Sequence, residues 1–166
     1  MSKREQKIEV IRKYISNAAG SWPAYAYGNI PKTLLSNACY SYAGAIQKED
    51  VLGLIDITVL GNGKKGLVFT ENKIYYNNGI MSGQGAVSYQ SIYENESVPA
   101  DLLDVAYNKT ALKEMVSKLA SIEGTTLMGT FDEMLNEANE IVDMVKKGKA
   151  FLKELGILQS DEDKYE

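Results

Sequence analysis

Hydrophobic and polar positions change their spacing twice along the chain. From Ser2 to Asn17 apolar residues recur at helical intervals, at Ile8, Ile11, Ile15 and Ala18, joined by Val10 and Tyr14. Lys, Arg and Glu fill the other face, so the period predicts an amphipathic first helix that ends at Gly20. Ser2 and Glu5 stand at capping-box spacing, where each side satisfies a backbone N–H that the first turn leaves unpaired. The stretch AAGSWPAYAYGNIP follows, and its alternating Ala and Tyr fit either a short strand or aromatic plugs over a core. Pro31 suits the first position of a second helix, because its missing N–H was unpaired anyway. That helix is expected to reach Gln47, with Leu34, Leu35, Ala38, Cys39, Tyr42 and Ile46 on its buried face.

Near Asp50 the pattern turns β-branched and apolar. VLGLIDITVL, GLVFT, KIYYN and AVSYQSIYE read as short strands of an antiparallel meander, with one more around Leu102 to Ala106. Helical spacing then returns. Asn108 or Thr110 can cap a helix whose Leu112, Met115, Val116, Leu119 and Ala120 form one stripe, and Gly124 is expected to break it. Thr130 and Glu133 make a second capping box, opening a long helix from Phe131 toward Leu155 in which Gly148 marks a candidate kink. Its acidic residues come first and Lys146, Lys147, Lys149 and Lys153 last, an order that complements the helix dipole. The tail QSDEDKYE is expected to fray.

Between the first two predicted strands, Gly61, Gly63 and Gly66 spell G-x-G-x-x-G. A dinucleotide site needs a helix after this frame to attract the pyrophosphate, and here GLVFT follows. The kinase form G-x-G-x-x-G-x-V fits from Gly61 to Val68, but there is neither H-R-D nor D-F-G, and too little chain for a catalytic lobe. A Walker A lysine followed by Ser or Thr is absent. The frame is read as a turn between strands, with Lys64 and Lys65 in water.

Composition removes further chemistry. The chain has no histidine and one cysteine, Cys39, which excludes Cys/His zinc sites, Ser-His-Asp and Cys-His catalysis, and an internal disulfide. Glu49-Asp50 and the acidic run at 161–163 lack the spacing of a calcium loop, so no metal or cofactor is expected. Asp56, inside an apolar strand, requires partners and is expected to accept hydrogen bonds from backbone N–H groups or a threonine near the Gly-rich loop. The net charge of -4 argues against a nucleic-acid partner, and Trp22, Tyr25, Tyr27, Tyr40 and Tyr42 lack the interleaved basic residues of a stacking surface. No apolar run is long enough to span a membrane, and the charged start is unlike a secretory signal, so a cytoplasmic protein without peripheral membrane contact is expected.

LGLIDITVLGNGKKGLVFTENKIYYNN, followed after a gap by VSYQSIYE, resembles the bacterial pleckstrin-homology-like domains over roughly residues 50–123. Asp56 and Thr58 match the family's first strand, Gly63, Lys64 and Gly66 its loop, and Thr70, Ile74, Tyr75 and Tyr76 its hairpin. Ser88, Tyr89 and Ile92 match the last element, and the helix from Leu112 to Ala120 looks like the one that closes the barrel. The resemblance implies a binding or assembly module of bacterial or phage origin, several relatives of which form ring-like oligomers. Related eukaryotic pockets use basic residues of the first loop, which points to Lys64, Lys65 and Lys73 as candidate ligand or anion contacts.

The fold class expected is α+β: N-terminal helices (1–48), a small antiparallel PH-like barrel with its closing helix (49–123), and a long C-terminal amphipathic helix with an acidic tail (124–166). The function expected is non-enzymatic interaction or assembly. Phe131, Leu135, Ala138, Val142, Val145 and Leu152 offer a stripe for a protein partner or self-association, or for packing on the chain's own barrel. The alternative is a protein that binds or sequesters a nucleotide or other small anion.

Overall fold

The computed structural model describes residues 1–79 and 83–155, with only the backbone described at 125–138. The chain divides into two units, Met1–Thr125 and Thr126–Glu166. Among the described residues the first carries five strands: β1 (Ala24–Ala26), β2 (Val51–Asp56), β3 (Gly66–Thr70), β4 (Lys73–Asn77) and β5 (Gln84–Ser88). They form one antiparallel sheet in sequence order, with β1 and β5 as its edges. The class is α+β as expected, but the sheet is open and does not close into a barrel.

Among the described residues there are five α-helices: α1 (Lys3–Ala19), α2 (Lys32–Ala38), α3 (Tyr89–Asn95), α4 (Ala100–Leu103) and α5 (Lys109–Glu154). Ser2 and Glu5 make the reciprocal capping box, and Gly20 ends α1 with φ 63°. A π-helical turn, Cys39–Ala43, extends α2. The continuous apolar run of β2 is explained by cover on both faces, since every residue of the strand is buried. Leu52, Ile55, Leu67 and Phe69 join Ile11 and Ile15 in one core, together with Leu112, Met115 and Leu119 of α5. Val51, Leu54 and Val68 meet Leu34, Leu35, Ala38 and Tyr42 in the other. Gly53 is where α1 crosses: a Cβ there would lie 2.8 Å from Ile11 and 3.0 Å from Ile15.

Four expectations give way in the structure. VLGLIDITVL is a strand only as far as Asp56, because the loop that follows is folded around that carboxylate. AVSYQSIYE is a strand only to Ser88, whose hydroxyl accepts from the N–H of Ser91 and so caps α3; the segment from Leu102 onward starts inside α4. Asn108 caps α5 at the N–H of Ala111 (3.1 Å), but the helix continues through Gly124 to Glu154. The glycine serves packing instead, for a Cβ there would run into the Tyr93 ring.

Candidate functional site

The β2–β3 loop is built on Asp56. Its side chain is fully buried, and Oδ1 accepts from the Thr58 N–H (2.9 Å) and the Thr58 hydroxyl (2.6 Å). Oδ2 accepts from the Gly63 N–H (3.1 Å), while the Thr58 oxygen accepts from the Asn62 N–H (2.8 Å). The carboxylate therefore serves as the anchor of a turn, as its position in the sequence implied. Asn37 of α2 donates to the Asn62 carbonyl at 2.8 Å and fixes the loop from outside. Gly61 and Gly63 have φ of 63° and 74°, and β3 starts at Gly66, so a strand and not a helix follows the frame.

Lys64 and Lys65 are exposed on this loop, beside the exposed Val59 and Leu60. Lys73 is not with them. It opens β4 at the far end of the β3–β4 hairpin, where Gly66 pairs with Asn77 and Lys73 pairs with Ser88. Four strand residues separate the two ends, about 13 Å. The three lysines do not form one cluster. Under the loop, burial and then the neighbouring Asp56 push the Tyr42 hydroxyl well above its ordinary pKa.

Sequence reasoning missed a buried polar site centred on Lys7. Lys7 stands one turn before Ile11 on the inner face of α1 and is buried. Its ammonium donates to the Glu71 carbonyl (2.5 Å) and to Glu123, and lies 4.7 Å from the centre of the Tyr89 ring. Lys3 donates to the other Glu123 oxygen at 2.8 Å, and the buried Tyr89 hydroxyl donates to the Thr70 carbonyl at 3.2 Å. Arg4 adds an ion pair to Glu71 at 2.7 Å. Burial acts to raise the Glu123 carboxyl, but the hydrogen bonds and charges of Lys3 and Lys7 outweigh it and hold the group below its ordinary value. The one sequence signal was spacing: Lys7, Ile11, Ile15 and Ala18 share a face.

The predicted interface lies on α5. Val142, Val145 and Leu152 are 36–53% exposed, and Ile141, Met144, Phe151 and Leu155 extend the apolar surface. The side chains of Phe131, Leu135 and Ala138 lie outside the described residues. Charged positions at Glu140, Asp143, Lys146, Lys147 and Lys153 interrupt the apolar ones at helical spacing. Among the described residues no helix is long and apolar enough to cross a membrane. Compared with protein-family models, with curated proteins and with solved structures, the chain matches none.

Proposed function

We propose that the chain is a non-enzymatic interaction and assembly module that binds through the second half of α5. The observation that carries this reading is the run of large apolar side chains from Ile141 to Leu155, each at least 36% exposed. Exposed apolar surface gathered in one place, rather than scattered singly, is characteristic of protein docking sites. A helix whose apolar positions recur at helical spacing gains most of its stability by covering them. The likeness of the strand and loop residues to bacterial pleckstrin-homology-like domains supports the same reading, because those resemble binding modules and not catalysts. The lack of histidine leaves the chain without the commonest general base.

The test compares the full chain with its Ile141→Asp/Val145→Asp variant, by light scattering and by recovery of bound protein from cells expressing each. The wild type is expected in complexes heavier than one chain, and the variant as a single chain. If both behave as single chains and neither retains a partner, the reading is overturned.

A further inference from the structure

We infer that the β2–β3 loop docks the chain on a bilayer surface of anionic lipid, with Val59 and Leu60 entering it and Lys64 and Lys65 facing its headgroups. The Gly61 N–H donates to the Thr58 carbonyl at 3.1 Å, so Val59 and Leu60 are the two corner residues of a β-turn. Such corners favour Gly, Pro, Asn, Asp and Ser. Here they hold apolar side chains that are 92% and 87% exposed, and neither contributes to the core. The turn is held in place all the same. Asp56 accepts from Thr58 and Gly63, and the Thr58 hydroxyl oxygen accepts from Asn62. The N–H groups of Thr58, Gly61, Asn62 and Gly63 are thus paired inside the loop, which lowers the cost of moving its tip out of water.

The surroundings of the tip point to lipid. Val59, Leu60, Lys64 and Lys65 border one shallow hollow of about 330 Å³. Among the described residues neither ammonium pairs with a carboxylate. Residues 31–44 and 57–65, joined where Asn37 donates to the Asn62 carbonyl, carry Lys32, Lys64 and Lys65 and no carboxylate, although the chain as a whole has a net charge of -4. Asp56 beneath them is fully buried on its own donors. Glu49, Asp50 and Glu71 stand at the opposite end of the sheet, where Val51 pairs with Thr70. An anionic bilayer therefore attracts this end and repels the other. The tip is also convex and small. Two side chains do not furnish the ~1,200 Å² of a stable protein interface, whereas a bilayer admits a protrusion of any size. Lysine stems follow apolar surface while their ammonium groups stay with the headgroups. The expectation of no peripheral membrane contact drew on the absence of an apolar span and of a secretory signal, and contact through a loop tip requires neither.

The full chain is tested by co-sedimentation with vesicles of phosphatidylglycerol and phosphatidylcholine in equal parts, and with vesicles of phosphatidylcholine alone. Binding to the first is expected, weakening as salt is raised, and no binding to the second. Lys64→Ala/Lys65→Ala is expected to weaken it about 25-fold, at about fivefold per lysine. Val59→Ser/Leu60→Ser is expected to weaken it about tenfold or more. Both variants alter exposed side chains, so their thermal midpoints should match the wild type. In a Cys39→Ser chain, an environment-sensitive fluorophore at Leu60→Cys is expected to brighten and shift to the blue on the anionic vesicles, and one at Glu49→Cys to stay unchanged. A chain that does not bind the anionic vesicles overturns the proposal. So does binding that Val59→Ser/Leu60→Ser leaves intact, or a fluorophore at position 60 that stays in water. A protein recovered through the tip by a chain that ignores vesicles overturns it too. Ile141→Asp/Val145→Asp is expected to keep the fluorophore response, so the loop is tested separately from α5. Vesicle binding abolished by that variant, and not by Val59→Ser/Leu60→Ser, assigns the contact to α5 and overturns the role of the loop.

Discussion

Asp56 and Glu123 are both carboxylates held by neighbours, yet they differ in what removing them leaves behind. Asp56 collects donors from its own loop, so Asp56→Ala strands the Thr58 and Gly63 N–H groups and is expected to cost about 3 kcal/mol in chemical denaturation. The glycines of the loop divide in the same experiment. Gly61 has open space where a Cβ would go, whereas a Cβ at Gly63 would sit 2.5 Å from the Leu34 carbonyl oxygen. Gly61→Asn is expected to be nearly neutral, and Gly63→Ala to lose about 1–3 kcal/mol. Glu123→Gln leaves the buried Lys7 ammonium without its counter-charge and is expected to cost about 3 kcal/mol, more than Lys7→Met, which removes the charge that needed a partner. Because the Glu123 carboxyl is held below its ordinary value, its contribution is present above the unfolded value of about 4.3 and is lost as pH falls through the folded one. Wild-type stability should therefore fall more steeply than that of Glu123→Gln below that pH. Asp56 was legible in the sequence because its partners lie within seven residues. Lys7 was not, because its partners lie 64 and 116 positions away, and no local pattern places them together.

At the scale of the element, local signals succeeded where the ends were capped by near neighbours. The capping box of α1, the Asn108 cap of α5 and the β3–β4 hairpin were each set by residues a few positions apart. They failed where a distant group decided the outcome. Gly124 reads as a helix breaker until the Tyr93 ring is seen to occupy the space beside it. Gly124→Ala is accordingly expected to destabilise the protein, although alanine is the better helix former by about 1 kcal/mol in an exposed helix. A rise in thermal midpoint for that variant would show that Tyr93 does not pack there. Ser88 differs, being a local cap that the strand pattern hid: with its hydroxyl on the N–H of Ser91 it favours a helix over a continued strand. Ser88→Ala is expected to cost about 1 kcal/mol, measured by denaturation.

Across the molecule, the sheet-bearing unit and the exposed helix surface contribute to different properties. Phe69 is fully buried in the larger core, and Phe69→Ala is expected to lower stability by about 3–5 kcal/mol. Val145→Asp, on an exposed surface, should change unfolding of the monomer by less than about 0.5 kcal/mol. The α+β class was legible because helical and strand periods alternate in distinct blocks of sequence. An open sheet was not distinguishable from a closed one, because strand pattern records which faces are covered and not whether edge strands meet. The burial of Lys7 has a chemical consequence. Acylating reagents that modify surface amines should spare this one in the native protein, and its slow modification would time the separation of α1 from Tyr89 and Glu123. A single lysine thus gives the chain its own clock for opening, readable by peptide mass.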